Sequence, residues 1–290
     1  MEQKSNKKLL AIIVWLSFIL FTAWWLYITL VIKSTDHYNN INNQVFAASY
    51  GIVSLLGGIA GVLGSRLWGG YKSLLGRSLL FFALGLLAQE FGQIAYSIYL
   101  YALHVKIPYP SIGDIGYFSS VFFYIYASYL LLKANGGGIS LKNSKAKKAI
   151  AVILPAILLT VSYIYFLHGY KFDFSSTKSA LTVVLDLGYP LGQATYISIA
   201  LLTYLLSRKM LGGIMKNKIL LILFALVVQY VADFTFLKDA KAGSIFPAGA
   251  NDYIYLVSYT VMAIALNNFR FRLVSSKQVT SDDKSTETVV

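Results

Sequence analysis

Eight long runs of apolar residues, separated by short polar segments, form the main pattern of this 290-residue chain. A helix crosses a hydrocarbon core of about 30 Å with roughly 20 apolar residues, and each run approaches that length. We therefore predict an all-α integral membrane fold with about eight transmembrane helices. The predicted spans are 9–32, 46–65, 78–103, 114–133, 149–169, 179–206, 219–237 and 253–268.

The last four apolar runs resemble the first four. Residues 7–13, 88–93 and 109–114 are matched by 147–153, 228–233 and 246–252, at a separation of about 140 residues. Because four is an even number of spans, each half enters and leaves on the same side, which predicts two parallel four-helix repeats rather than inverted ones. The predicted domains are a first membrane repeat (1–135), a cytoplasmic linker (136–148), a second membrane repeat (149–268) and a disordered cytoplasmic tail (269–290).

The formal charge of +13 agrees with this topology. With the amino terminus inside, 19 Lys and Arg residues fall in inner segments and only 6 in outer loops. This is the positive-inside asymmetry that orients membrane helices. Topology therefore accounts for the basic charge, and we expect no nucleic acid partner. We predict a multi-pass protein of the cell membrane with both termini in the cytoplasm.

Several function classes lack the residues that they need. The chain has no cysteine, which excludes disulfides, thiolate catalysis and cysteine-ligated iron–sulfur clusters. No nucleophile elbow or phosphate-binding loop occurs in it. His37, His104 and His168 lie near the outer ends of spans without metal-ligand spacing. We therefore expect no enzyme activity, no metal and no cofactor.

Five carboxylates fall within spans or at their outer ends, where ionisable side chains are costly and often functional. At 1.5 Å per residue, Glu90 lies ~18 Å and Asp233 ~21 Å from the inner ends of their spans, and Asp186 lies ~10 Å below the outer surface. Asp114 and Asp252 begin the fourth and eighth spans. With no Lys or Arg deep in any span, these acids predict one acidic, outward-facing cavity. The alternatives are hydrogen bonding between helices and, for Asp114 and Asp252, helix capping.

Polar neighbours extend this predicted site. Gln229 and Asp233 are four residues apart and share a helix face, and Pro190 interrupts the backbone ladder of the sixth span. Ser111 and Asn251 are the predicted N-caps of the fourth and eighth helices. The predicted ligand-binding residues are Gln89, Glu90, Gln93, Asp114, Asp186, Tyr189, Gln193, Gln229, Asp233 and Asp252.

Aromatic residues make up 15% of the chain. Many lie near span ends, among them Trp24, Trp25 and Tyr101, and we interpret most of them as anchors at the membrane surface. A stacking site for an organic cation within the acidic cavity is the alternative role.

Three short segments carry a family resemblance. Tyr109-Pro-Ser-Ile-Gly-Asp114-Ile-Gly-Tyr117 resembles a Pro-Ser-x-Ala-Asp-x-x-Tyr-Leu signature, with Gly113 in place of Ala, and residues 250–256 repeat it. Asp186-Leu-Gly-Tyr189-Pro190-Leu-Gly-Gln193 is similar to a Tyr-Pro-Leu-Gly-Asp segment, with Gln193 in place of Asp. Both occur in the multispanning sensory regions that precede diguanylate cyclase and phosphodiesterase domains in bacterial signalling proteins. The resemblance implies an environmental sensor, here without an output domain.

The function that these patterns favour is a stand-alone sensory or ligand-binding membrane module. The alternative is a small cation- or proton-coupled transporter, because duplicated halves with polar groups inside the membrane suit alternating access. The expected partners are the lipid bilayer, a small cationic ligand or proton, and a cytoplasmic or membrane signalling partner that meets the basic inner loops.

Overall fold

The structure, a computed structural model, describes residues 2–33, 35–105, 107–137, 144–169, 179–207, 213–242 and 244–270. The fold is all-helical, with 86% helix, and the described residues contain no strand. The predicted tail from 271 onward and residues 138–143 of the predicted linker lie outside the described residues.

Nine α-helices follow one another along the described parts of the chain. They are α1 (Glu2–Tyr27), α2 (Ile41–Ser49), α3 (Ile52–Leu67), α4 (Leu74–Ser97), α5 (Ile112–Ala134), α6 (Lys145–Gly169), α7 (Ala180–Ser207), α8 (Gly213–Ala242) and α9 (Ala250–Asn268). Wider π-type turns extend α1 through Ile28–Ile32 and α4 through Ile98–Ala102. The predicted second span is interrupted at Tyr50 and Gly51, where α2 ends and α3 begins.

Six helical segments of the described chain are long and apolar enough to cross a membrane. They are Leu9–Ile32, Ile41–Leu67, Leu74–Ala102, Ile112–Ala134, Lys145–Ile164 and Lys216–Phe236. They coincide with six of the eight predicted spans. The other two predicted spans, 179–206 and 253–268, form helices α7 and α9 but do not belong to these six. Polar residues within both helices reduce their apolar character.

Short polar residues cap the beginnings of α2 and α5. The Asn40 side chain accepts from the backbone N–H groups of Asn42 and Asn43 at the start of α2, at 3.0 and 3.4 Å. Ser111 and Asp114 form a capping box on α5, which confirms the predicted cap. The predicted N-cap at Asn251 is wrong, because α9 begins one residue earlier and Gly249 occupies the cap position.

Asn251 lies inside the first turn of α9 because packing against α8 uses its amide. Its Nδ2 donates to Thr235 Oγ1 at 3.1 Å and to the Ala232 carbonyl at 3.5 Å. Asn251 is 7% exposed, and a buried amide requires partners of this kind.

Six helices form a closed ring. Around the ring, α3 contacts α4, α4 contacts α5, α5 contacts α7, α7 contacts α8, α8 contacts α9, and α9 returns to α3. Helix α1 packs outside against α3 and α9, and α6 packs outside against α7. Outward-facing side chains are apolar, such as Leu20 at 68% and Val152 at 70% exposure. Such an exterior suits contact with lipid rather than water.

Helices α4 and α5 approach so closely that their backbones touch. A Cβ atom on Gly116 would lie 2.4 Å from the Ala88 carbonyl oxygen and 2.7 Å from the Gly92 nitrogen. Only glycine permits this separation, a familiar device for packing helices in membranes. The contact fixes the α4 side chains described below relative to α5.

The turn of residues 245–248, before α9, is held by residues of the first half of the chain. The Tyr38 hydroxyl donates to the carbonyl of residue 245 at 2.6 Å, Asn43 Nδ2 to that of residue 247 at 2.9 Å, and Trp25 Nε1 to that of residue 248 at 3.0 Å. The Trp25 ring also stacks on Tyr253 at 4.3 Å. Trp25 therefore has a packing role inside the protein besides its predicted role as an interface anchor.

Candidate functional site

Asp114 is held by its own helix and by a tyrosine of the other half. Its Oδ2 accepts from the Ser111 N–H at 2.7 Å and from the Ser111 hydroxyl at 2.9 Å. Its Oδ1 accepts from the Tyr189 hydroxyl at 3.0 Å. Asp114 is only 5% exposed. The capping role is therefore present, and it coexists with a bond that joins α5 to α7.

Asp252 has a corresponding arrangement at the start of α9. Its Oδ2 accepts from the Ala248 N–H at 2.8 Å, and its Oδ1 accepts from the Tyr50 hydroxyl at 3.5 Å. Tyr50 lies at the interruption between α2 and α3, and Tyr189 directly precedes Pro190 in α7. Helix α7 continues through that proline. In both cases, a tyrosine of one half bonds the carboxylate that begins the last helix of the other half.

Gln93 and Asp233 are each the acceptor of two phenols. Gln93 Oε1 accepts from Tyr117 at 2.9 Å and from Tyr50 at 3.3 Å, and its Nε2 donates to the Ala47 carbonyl at 2.5 Å. Asp233 accepts at Oδ2 from Tyr196 at 2.9 Å and at Oδ1 from Tyr255 at 3.0 Å. Gln229 Nε2 also donates to Asp233 Oδ1, at 2.9 Å, which confirms the face that they were predicted to share.

Gln89 and Gln229 each bond a serine of the following helix. Gln89 Nε2 donates to Ser120 Oγ at 3.3 Å between α4 and α5. The Ser258 hydroxyl donates to Gln229 Oε1 at 2.6 Å between α8 and α9. All four side chains are buried. These bonds join adjacent helices in the membrane interior.

Glu90 packs against the interruption of the second span. The Ser54 hydroxyl donates to Glu90 Oε2 at 2.9 Å. The same oxygen would lie 2.3 Å from a Cβ atom on Gly51, so the carboxylate lies directly on the glycine backbone. Because Gly51 has no side chain, the Glu90 carboxylate fits beside the backbone between α2 and α3.

Asp186 lies in the second turn of α7 and accepts from the Tyr109 hydroxyl at 2.8 Å. Partial burial, followed by the bond to Asp186, raises the pKa of the Tyr109 phenol above its ordinary value, so it remains a protonated donor at neutral pH. Gln193, also on α7, is 4% exposed and therefore lies in the protein interior.

The predicted residues form several separate sets of hydrogen bonds. Tyr189 bonds to Asp114, whereas Asp186 bonds to Tyr109. Tyr50 is shared between Gln93 and Asp252, whereas Glu90 bonds to Ser54 of α3. The Asp233 group contains Gln229 and Asp233 with their tyrosine and serine partners. Gln89 bonds to α5 instead, and Gln193 is buried on α7.

Open surface depressions near these groups are apolar. One of about 380 Å³ is lined by residues such as Ala48, Ile94 and Tyr101, and another of about 220 Å³ by residues such as Phe91 and Ile98. None of the ten predicted residues lines either depression. Four of the five carboxylates accept hydrogen bonds from tyrosine hydroxyls, and Glu90 accepts from Ser54 instead.

Apart from Tyr189, sequence reasoning missed the tyrosines that bond to the predicted residues. Tyr117 and Tyr255 lie three residues after Asp114 and Asp252, and they bond to Gln93 and Asp233. Their position one helical turn inside each span was the available signal, because an interface anchor lies at the end of a span.

The contacts of His37 lie outside these sets of hydrogen bonds. His37 stacks on Phe246 at 4.0 Å, and its Nδ1 is 3.3 Å from Asn43 Nδ2. The side chain of His168 lies outside the described residues. Across the side chains that the structure describes, no three His, Asp or Glu residues are placed to share a metal ion.

Comparisons of the chain with known protein families, curated proteins and solved structures found no match.

Proposed function

We propose that this chain is a polytopic membrane protein of eight spans in two parallel four-helix repeats, acting as a sensory or ligand-binding module for a small cation. The coarse class rests on the six apolar helices. The repeat, the topology and the ligand are the proposal.

Matched hydrogen bonds support the repeat. Three hydrogen bonds each have a counterpart between residues that lie 138 to 140 positions away along the chain. The matched pairs are Tyr189–Asp114 with Tyr50–Asp252, Tyr117–Gln93 with Tyr255–Asp233, and Gln89–Ser120 with Gln229–Ser258. Such matched polar contacts are expected of a duplicated sequence, and chance similarity between apolar segments gives no reason to expect them.

Helix contacts support the same two-fold relation. In each half the second, third and fourth spans contact one another in sequence. The fourth span of the first half, α5, contacts the second span of the other half, α7. In return, the fourth span of the second half, α9, contacts α3. The order of helices around the ring is therefore the same in both halves, as two parallel repeats would give.

The observation that carries the ligand proposal is the pair of Tyr–Asp bonds between the halves, Tyr189–Asp114 and Tyr50–Asp252. A cation that binds these carboxylates competes with the tyrosine hydroxyls, because both use the same oxygen lone pairs. Tyrosine rings beside a carboxylate also attract an organic cation. Exchange of partners alters how the halves are joined, and the basic inner loops transmit the change to a signalling partner.

The resemblance to sensory regions of cyclase and phosphodiesterase proteins agrees with this role, and it supplies no ligand. We propose no catalytic activity for the chain. The positive-inside asymmetry supports cytoplasmic termini in the cell membrane.

Binding of tetramethylammonium to the purified full chain tests the ligand proposal. We expect saturable binding by calorimetry, with about tenfold weaker affinity in Asp114→Asn and in Asp252→Asn, because each loses a charged partner. Asp36→Asn is the matched control, since Asp36 is exposed in the loop before α2 and accepts from Asn39 instead. Absence of saturable binding, or equal affinity in all three variants, would contradict the proposal.

Transport is the second candidate, favoured by the burial of Asp233 within an apolar helix. Uptake of labelled tetramethylammonium into proteoliposomes that is lost in Asp186→Asn or Asp233→Asn would establish it. Binding without uptake would exclude transport of this probe and retain the sensory module.

Topology is tested by single cysteines, because the chain contains none of its own. We expect Asp36→Cys to react with an impermeant maleimide from outside intact cells and Asn135→Cys to react only after lysis. The reverse pattern would contradict the proposed orientation.

A further inference from the structure

The Asp233 carboxylate lies in the ring interior and is surrounded by donors. Tyr196, Tyr255 and Gln229 all donate to it, at 2.9, 3.0 and 2.9 Å, and it is 8% exposed. Three donors satisfy an ionised carboxylate, which only accepts hydrogen bonds. A protonated carboxyl group would instead donate its own hydrogen to one of the two phenols, which would then have to donate elsewhere.

Ser258 fixes the orientation of the Gln229 amide. Its hydroxyl donates to Gln229 Oε1 at 2.6 Å, so the NH₂ group of Gln229 faces Asp233. The matching position in the first half is Gln93, whose neutral amide accepts two phenols and donates to a carbonyl. The Gln93 arrangement is therefore satisfied without charge, whereas the Asp233 arrangement holds a net negative charge.

That charge has no cationic partner in the part of the chain that the structure describes, where the bonds to Asp233 come from the two phenols and the amide alone. A carboxylate taken out of water without a compensating cation is strongly unfavourable. Water molecules supply further hydrogen bonds but no opposite charge.

Two buried oxygen atoms, one on α4 and one on α5, have no hydrogen-bond partner among the described residues. They are Gln89 Oε1 and the Tyr124 hydroxyl, on side chains that are 3% and 1% exposed. A Cβ atom on Gly85, one turn before Gln89, would lie 2.3 Å from the Tyr124 ring, which places both on the same stretch of the α4–α5 interface. The Tyr124 ring is 5.9 Å from the ring of Tyr196, whose hydroxyl bonds Asp233.

Gln89 lies on α4, Tyr124 on α5, Tyr196 on α7 and Asp233 on α8, four helices that follow one another around the ring. Buried polar atoms without partners indicate something that the protein itself does not supply. Asp233, Tyr124 and Gln89 offer a carboxylate, a phenol and an amide carbonyl, which are hard oxygen donors suited to alkali and alkaline-earth cations.

We propose that the ring interior binds a single monovalent cation beside Asp233, with the Tyr124 hydroxyl and the Gln89 carbonyl oxygen as further ligands. One carboxylate balances one positive charge, whereas a divalent ion would leave a buried excess. This site extends the proposed function and rests on its assumption that the acids bind external cations. It is separate from the Tyr189–Asp114 and Tyr50–Asp252 bonds.

Sodium chloride alone is the probe. The purified full chain is kept at constant ionic strength with N-methylglucamine chloride, and unfolding temperature and binding of radioactive sodium are measured as NaCl replaces it. We expect one sodium ion per chain and an unfolding temperature that rises with the logarithm of sodium concentration above the dissociation constant.

Three variants test the assignment. Asp233→Asn should abolish sodium binding and unfold at or above the sodium-free temperature of the wild type, because the uncompensated charge is gone. Tyr124→Phe should bind sodium about tenfold more weakly and still fold, since its hydroxyl bonds no protein group in the structure. Tyr126→Phe, on the same helix but 36% exposed, is the matched control and should bind as the wild type does.

Absence of sodium binding by the wild type would overturn the proposal and would indicate a protonated Asp233 or water in the interior. Sodium binding that persists in Asp233→Asn would overturn it as well. Neither result alters the tetramethylammonium test of Asp114 and Asp252. Conversely, if those outer variants have no effect while sodium binding depends on Asp233, the proposed sensory site fails and the cation site stands.

Discussion

The two Tyr–Asp bonds between the halves should differ in strength. The Tyr189 hydroxyl has one acceptor, Asp114 Oδ1, at 3.0 Å. The Tyr50 hydroxyl is shared between Gln93 Oε1 at 3.3 Å and Asp252 Oδ1 at 3.5 Å. A hydrogen bond of 3.5 Å is weaker than one of 3.0 Å, and sharing one hydrogen between two acceptors weakens each bond further.

The expected coupling energies follow from these distances. A hydrogen bond to a charged group contributes about 1.5–3 kcal/mol in soluble proteins, and measured couplings inside membrane proteins reach about 1.7 kcal/mol. We therefore expect a coupling of about 1–1.5 kcal/mol between Tyr189 and Asp114. For Tyr50 and Asp252 we expect less than about 0.5 kcal/mol.

Double-mutant cycles measure both couplings. Each cycle combines Tyr→Phe with Asp→Asn, so the loss of helix capping by the aspartate cancels between the single and double variants. Unfolding free energies come from titration of the detergent-solubilised protein with sodium dodecyl sulfate, followed by the fluorescence of its four tryptophans. No measurable coupling between Tyr189 and Asp114, or a larger one between Tyr50 and Asp252, would refute the reasoning.

Three further outcomes follow from the packing. Gly116→Ala should lower the free energy of unfolding by about 1–3 kcal/mol because its Cβ meets backbone atoms of α4. Gly64→Ala, where the nearest atom would be 3.4 Å away, should change it by no more than about 1 kcal/mol, and equal losses in detergent unfolding would contradict the close approach of α4 and α5. Ser258→Ala should cost about 1 kcal/mol by freeing the Gln229 amide, and an unchanged unfolding curve would show that this bond does not orient it. Ser111→Ala should cost about 1 kcal/mol at the start of α5, and a loss below about 0.3 kcal/mol would argue against the capping box.

Local spacing predicted those parts of the site that depend on one helix. Ser111 and Asp114 are three residues apart and form the predicted cap, and Gln229 and Asp233 are four apart and bond to each other. Helical geometry alone determines such contacts. It also predicted the helical segments, since apolar length is a property of consecutive residues.

Contacts between helices could not be predicted from local spacing in the sequence. Nothing near Asp233 in the sequence indicates that Tyr196 approaches it from α7, because that contact depends on which helices are neighbours in the ring. Asn251 was assigned to the wrong position for the same reason. Its preference for a helix cap was outweighed by the bond to Thr235 that packing against α8 provides.

The 245–248 turn supplies hydrogen-bond acceptors that the first half of the chain needs, and it is synthesised late. Tyr38, Asn43 and Trp25 belong to the part of the chain that a ribosome makes first, yet their acceptors are carbonyls made about 200 residues later. Until that turn is synthesised, these three side chains lack the acceptors that they have in the folded protein. Assembly of this half is therefore finished by the last helix, and a nascent chain that stops before residue 245 lacks the acceptors that close it.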